Sequence, residues 1–305
     1  MPKSLNQNRL PIPVAAPPGP AERERLPRSE ERALLTAARA GDRRAMRRLL
    51  ERMSRPIYRF GRGFCRNPED AEDVMQEVLA SLVRSLPSFR GDASLTTWAY
   101  TVARNACIRQ RRRFGREAVS LDDSDAGGSR AATLLLADGS ADPEQAMLRR
   151  EIDSALQIAL ATLPVSQREA VLLRDVEGLP LPEVARVLRV GERAAKARIH
   201  RGRASLRSAL AVLRPGEDGE RARPRGCPDT ARLLSRYLEG ELDASRCASI
   251  ARHVAGCPSC GRACRELRRS LGACRRYGGR PVPARVRDGI RRSIAAVLAG
   301  SRIAM

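Results

Sequence analysis

Apolar residues recur at helical intervals along most of the chain. Between Glu30 and Cys65 the clusters Leu34, Leu35, Ala38, then Met46, Leu49, Leu50, Met53, then Ile57, Phe60, Phe64 alternate with arginines, and Gly41-Asp42 breaks the period. Two helices are predicted there. From Pro68 a stripe of Val74, Val78, Leu79, Leu82, Val83 and Leu86 lies opposite an acidic face of Asp70, Glu72, Asp73, Gln76 and Glu77. A Pro/Gly turn over Pro87–Asp92 separates this helix from another that begins near Thr96. That helix places Trp98, Val102, Ala106 and Arg109 on one side and ends in Arg109, Arg111, Arg112 and Arg113.

The pattern then lapses twice. Residues 115–141 hold Asp122, Asp123, Ser124, Asp125, Gly127, Gly128 and Ser129 among few apolar residues, and 215–225 are polar and Gly/Pro-rich; both read as linkers. Residues 1–28, with Pro17, Pro18 and Pro20 and no sustained period, read as a disordered extension. Between the linkers, Asp142-Pro143-Glu144 opens a helix through Leu148, Ile152, Leu156 and Leu160. Ser166 and Glu169 have the spacing of a capping box ahead of Ala170, Val171, Leu172 and Leu173. After Gly178 a short helix, Leu181 to Leu188, precedes a longer basic one from Gly191-Glu192, the order of a helix-turn-helix whose last helix enters the major groove. A tail with Val286, Ile290, Ile294, Val297 and Leu298 predicts a last amphipathic helix that packs on protein; a membrane-surface helix is the rival reading. The fold class is all-α, in several helical units.

Composition sharpens this. The formal charge of +22 on 305 residues points to a polyanionic partner, but lysine occurs only at Lys3 and Lys196. An arginine-rich composition of this kind follows from a GC-rich genome alone, so the placement of the arginines carries more information than their number. Seven of the nine aromatics lie between Tyr58 and Phe114 beside the arginine track. They suit either base stacking or a helical core. No apolar run approaches the roughly eighteen residues of a membrane span, and no signal core begins the chain, so a cytoplasmic protein without a membrane partner is expected.

Cysteine adds a candidate site. His253, Cys257 and Cys260 form H-x3-C-x2-C, with Cys260 expected across a Pro-Ser turn. Imidazole and thiolates at this spacing suit one tetrahedral zinc ion, and Cys227, expected on the preceding helix, is the choice for fourth ligand. A helix with incidental buried cysteines is the competing reading. No catalytic constellation is present, so the chain is not read as an enzyme. A magnesium-dependent nuclease built on Asp70, Glu72, Asp73 and Glu77 is disfavoured because no basic or histidine partner lies near those acids.

The run DAEDVMQEVLASLVRSLPSFRGDASLTTWAYTVARNACIRQRRR resembles region 2 of the extracytoplasmic-function sigma factors, promoter-specificity subunits of bacterial RNA polymerase. The resemblance implies that Asp70, Asp73, Gln76 and Glu77 bind core polymerase. It also implies that Ser88, Phe89, Arg90, Asp92 and Ser94 form the loop capturing a flipped minus-ten base, and that Trp98, Arg104, Asn105 and Arg109 meet the opened DNA. LPVSQREAVLLRDVEGLPLPEVARVLRVGERAAKARIHRGRASLRSAL resembles region 4 of that family, which implies minus-thirty-five contacts from Glu192, Arg193, Lys196, Arg198, His200, Arg201 and Arg203. Arg189, where glycine is frequent, and Gly191, Arg193, Ala194 and Ala195 depart from the family pattern.

Cys227, Leu233, Leu234, Tyr237, Leu238, Gly240, Glu241 and the His253 motif resemble the zinc-binding anti-sigma domain, which normally occurs as a separate protein that occludes its sigma factor. The expected layout is region 2 over 29–114, region 4 over 142–214, the zinc domain over 226–279 and a terminal helix over 280–305. The implied partners are core polymerase, promoter DNA and an intramolecular contact between zinc domain and sigma regions. A zinc-containing helix-turn-helix regulator acting without polymerase is the alternative. Some zinc sites of this family release metal on thiol oxidation and others are structural. Spacing leaves both open, with Cys264 as a resolving thiol or alternative ligand.

Overall fold

The computed structural model describes residues 26–65, 67–89, 91, 93–113, 143–212 and 226–300. The expected extension up to residue 25, both expected linkers, and Arg90, Asp92, Phe114 and Asp142 lie outside the described residues. Among the described residues there is no strand, so the all-α expectation holds.

Four helices make the first group: α1 Arg28–Arg39, α2 Arg43–Phe64, α3 Pro68–Ser85 and α4 Leu95–Arg113. The Gly-Asp break works as expected. Gly41 takes φ +91, a conformation glycine adopts freely. Asp42 then caps α2 by accepting from the backbone N–H groups of Arg44 and Ala45. Asn67 caps α3 in the same way, accepting from Asp70 N–H at 2.7 Å, with Pro68 at the first helical position. Ser94 caps α4 through its Oγ, which accepts from Thr97 N–H. Leu49, Leu50, Phe60 and Phe64 of α2, Val78 and Leu79 of α3, and Tyr100 and Ala103 of α4 are at most 1% exposed. Each large apolar side chain buried this way contributes about 1.5–3 kcal/mol against exposure.

The second group is α5 Pro143–Thr162, α6 Val165–Val171 continuing into a π turn Leu172–Val176, α7 Leu181–Leu188 and α8 Glu192–Val212. The third is α9 Thr230–Leu238, α10 Ala244–Gly256, α11 Pro258–Gly278 and α12 Ala284–Gly300. The predicted capping box does not form. α6 begins at Val165 after Pro164 without a side-chain cap, because Glu169 is drawn into the interior by two arginines from other helices.

The first two groups do not sit apart. One apolar cluster runs through α1 to α8 and takes in Ala273, Cys274 and Tyr277 of α11 and Val286, Ile290, Ile294 and Leu298 of α12. The junction is tight at Gly63, where an added Cβ would overlap Leu172 Cδ2. The apolar stripe of α12 lies on α2 and α3, and Arg43 donates to the Leu298 carbonyl at 3.0 Å. No helix among the described residues is long and apolar enough to cross a membrane. A separate small cluster, Leu234, Tyr237, Ile250, Cys264, Leu267 and Leu271, joins α9, α10 and α11.

Candidate metal centre and nucleic-acid interface

The four candidate ligands converge. Cys227, His253, Cys257 and Cys260 bring their ligand atoms within 4.8 Å of one another. Cys227 Sγ lies 3.7 Å from Cys257 Sγ, and His253 Nε2 lies 3.2 Å from Cys260 Sγ. A tetrahedral ion with Zn–S bonds of about 2.3 Å has S···S edges of about 3.8 Å, so the set is compatible with zinc. Two local details differ from expectation. Cys227 precedes α9 instead of lying on it, following Gly226 at φ +87. Pro258 and Ser259 are no loop but the first turn of α11, and Cys257 stands at its N-cap. The backbone N–H of Cys260 there draws the Cys257 thiol below its ordinary pKa. Cys227 moves the other way, to about 11, through desolvation and hydrogen bonds to Cys257 and Cys260. A metal that replaces those protons relieves the crowding of thiols.

The basic helix α8 presents two engaged faces. On one, Lys196, His200 and Arg203 meet the end of α9. Arg203 pairs with Asp175 at 2.6 Å and with Glu239 at 2.8 Å, and it donates to Ser235 Oγ at 3.0 Å. Glu241 receives Lys196 at 3.3 Å and lies 3.6 Å from His200 Nε2, while His200 Nδ1 is 2.7 Å from Ser235 Oγ. Burial opposes the charge on Arg203, but Asp175 and Glu239 outweigh it and hold the guanidinium protonated. Burial lowers the His200 pKa, with Glu241 pulling it back only in part.

On the other face Arg198 reaches Glu169 at 3.5 Å. The same carboxylate receives Arg104 of α4 in a fork at 2.6 and 3.1 Å. Glu169 is fully buried; burial pushes its carboxyl above the ordinary carboxylate range, and the arginines pull it down. A second buried acid, Glu177, receives Arg59 at 3.1 Å and the Tyr100 hydroxyl at 2.8 Å. Thr97 of α4 donates to Glu183 of α7 at 3.1 Å, adding a third link between the groups.

The structure therefore divides the predicted site residues. Glu192, Arg193 and Arg201 are exposed on α8, while Lys196, Arg198, His200 and Arg203 face protein. In the first group Arg104 is buried, Asn105 half-buried and Arg109 exposed beside Glu77, with which it pairs. Ser88 is exposed, and Phe89 and Trp98 form a half-buried edge-on pair with centroids 6.3 Å apart. Tyr58, Phe60, Phe64 and Tyr100 are core residues, so the stacking reading does not apply to them. On α3, Asp73, Gln76 and Glu77 are exposed, whereas Asp70 is half-buried and accepts from Gln110 at 2.9 Å.

Sequence reasoning missed the acids that occupy these basic residues: Glu169, Asp175, Glu177 and Glu239. A signal existed for one of them. Glu169 directly precedes the apolar run of Ala170, Val171, Leu172 and Leu173, where a charge needs a buried partner.

Residues 49–117 match the family described as Sigma-70 region 2, residues 154–206 match Sigma-70, region 4, and residues 227–261 match a zinc-finger family. The chain is 36% identical over 184 residues to ECF RNA polymerase sigma factor SigM of Mycobacterium tuberculosis, covering 60% of this chain and 86% of that protein. It is 30% identical over 193 residues to RNA polymerase sigma-H factor of Pseudomonas aeruginosa, covering 62% of this chain and 97% of that protein. To ECF RNA polymerase sigma factor SigW of Bacillus subtilis it is 28% identical over 176 residues, 57% and 92% of the two chains.

Proposed function

The chain belongs to the extracytoplasmic-function sigma factors, which bind core RNA polymerase and recognise promoter DNA, and we propose that its C-terminal helices hold the promoter-reading helices closed. In this reading residues 29–114 are region 2, 142–214 region 4, 226–279 a fused anti-sigma-like zinc domain and 280–305 a strap on region 2. Asp70, Asp73, Gln76 and Glu77 dock core polymerase. The loop Ser88 to Ser94 with Trp98, Arg104, Asn105 and Arg109 serves the minus-ten element, and Glu192 to Arg203 serve the minus-thirty-five element. Cys227, His253, Cys257 and Cys260 hold one zinc ion, which cross-links the start of α9 to the junction of α10 and α11.

The observation that carries the proposal is the occupation of α8 by Glu239 and Glu241. Their carboxylates take the positions on Lys196, His200 and Arg203 that DNA phosphates would take, at 2.8 to 3.6 Å. Scale supports the same reading. Two elements about 25 base pairs apart are separated by roughly 80 Å of B-DNA at 3.4 Å per base pair. Arg104 and Arg198, one assigned to each element, lie within 3.5 Å of one carboxylate. A molecule in this arrangement does not span a promoter, so regions 2 and 4 separate before both read DNA. A tethered inhibitor acts at an effective concentration of about millimolar, so a weak contact suffices to keep it closed.

The test is run-off transcription with core polymerase, comparing the full chain, a chain ending at Leu213 and the double variant Glu239→Gln, Glu241→Gln. The proposal expects more product from both altered proteins. Equal or greater product from the full chain overturns it and makes the C-terminal third an activator or a folding support.

A further inference from the structure

Four of the eight cysteines make up the metal cluster. Away from it, Cys65 and Cys107 bring their Sγ atoms to 3.4 Å, in contact and unbonded. The two come from different helices. Cys107 is fully buried inside α4, whose backbone holds it fixed. Cys65 is half-buried and sits just past the end of α2 with extended backbone angles, φ −77 and ψ 164, so its side chain is not confined by a helical turn. One thiol is therefore reachable from solvent and adjustable, and the other stands ready beside it. A disulfide needs an S–S bond of about 2.05 Å, and rotation of the Cys65 side chain is the freedom available to close the gap that remains from 3.4 Å.

We propose that Cys65 and Cys107 form a peroxide-oxidisable dithiol within region 2, separate from the zinc site. The Cys65 thiolate attacks one peroxide oxygen; the S–O bond forms, the O–O bond breaks, and the leaving hydroxide takes up a proton to give water. The Cys107 thiolate then attacks the sulfenic sulfur. The S–S bond forms, the S–O bond breaks, and a second water leaves. Two thiols supply the two electrons that reduce one peroxide.

The position of the bond gives it a consequence for DNA opening. The chain between Cys65 and Cys107 contains all of α3, the Ser88 to Ser94 loop and most of α4. Oxidation ties the end of α2 to α4 between Asn105 and Arg109, two residues assigned to the opened DNA. The chemistry itself does not depend on that assignment or on the closed form. It places a peroxide response on the minus-ten side of the molecule, which the metal cluster does not control.

The experiment treats the zinc-loaded full chain with one equivalent of hydrogen peroxide, alkylates it, digests it with trypsin without reductant and identifies linked peptides. Zinc release is followed in parallel with a chromogenic chelator. The expected product joins the peptide Gly63 to Arg66 to the peptide Asn105 to Arg109, at a dose that leaves zinc bound. Cys65→Ser removes the linked peptide and leaves Cys107 alkylatable. Cys107→Ser leaves a Cys65 sulfenic acid that dimedone traps. The proposal fails if Cys65 and Cys107 remain as alkylatable as the buried Cys274 at doses that already release zinc. It fails equally if the linked pair appears only after denaturation.

Discussion

Glu169 is the single side chain on which the proposed closed form depends most directly. Its carboxylate is shared by Arg104 of α4 and Arg198 of α8, the two helices proposed to read DNA, and no solvent reaches it. Glu169→Ala leaves Arg104 buried without its acid, a loss of about 3–5 kcal/mol for a broken buried pair. The variant is expected to unfold at lower urea with an unchanged slope; an unchanged midpoint would show the pair to be absent in solution. His200 and Glu241 act at the same scale through pH. Burial lowers the His200 pKa from 6.5, so its contribution is present above 6.5 and is lost as pH falls below it. For Glu241 burial raises the pKa, but the hydrogen bonds from Arg236 and Lys196 outweigh it and leave the value below 4.5, so that contribution is lost as pH falls further. Both signs agree. The closed form weakens on acidification from about pH 7.5 to about 5.5, read as a falling melting temperature, and His200→Gln flattens this first step. A rise in melting temperature over that interval would contradict the assignment.

Among the elements, the close approaches make the sharpest forecasts. Ala at position 63 gains about 1 kcal/mol of helix propensity but meets Leu172, itself fully buried, and overpacking of that kind costs about 1–3 kcal/mol. At Gly202 an added Cβ meets Val171 at 2.6 Å and the Gln167 carbonyl oxygen at 2.9 Å, and the backbone carbonyl has less room to yield. Gly202→Ala is therefore expected to lower the thermal midpoint more than Gly63→Ala; the reverse order would place the tighter contact between α2 and the π turn. Which stretches are helical was legible from period and punctuation, because Gly41-Asp42, Pro68 and Gly178 act locally. The convergence of the four Cys and His side chains was legible for the same reason, with three of them inside eight residues. Partners of the basic residues were not legible. Arg104 and Glu169 are 65 positions apart, and Arg203 and Glu239 are 36 apart, so only the packed fold brings them together. The Ser166 and Glu169 spacing misled because a capping box is a local preference worth about 1 kcal/mol, and two arginines in the interior outweigh it.

For the whole molecule, the Cys/His cluster is the point at which the proposed closed form is most exposed to outside control. α9 and α10 rest on a cluster of six buried residues, too few to offset the ordering entropy of two helices on their own. In the proposed function zinc, held by Cys227, His253, Cys257 and Cys260, would supply the missing stabilisation, since structural sites couple metal binding to folding. The far end of α11 differs, because Ala273, Cys274 and Tyr277 belong to the large cluster shared with α1 to α8, as does the stripe of α12. Removal of zinc with a strong chelator is thus expected to be partial in its effect. Backbone amides over 227–256 lose protection from hydrogen exchange, while those over 270–298 and in α2 keep theirs. Loosening α9 withdraws Glu239 and Glu241 from Lys196, His200 and Arg203, so the chelated chain also binds minus-thirty-five DNA more tightly and with a steeper salt dependence as phosphates replace carboxylates on those three side chains. Uniform loss of protection across both segments would mean that the metal supports the entire fold. Unchanged protection over 227–256 would mean that the six-residue cluster holds α9 without it, leaving the acid-to-base pairs on α8 to be released by some other event.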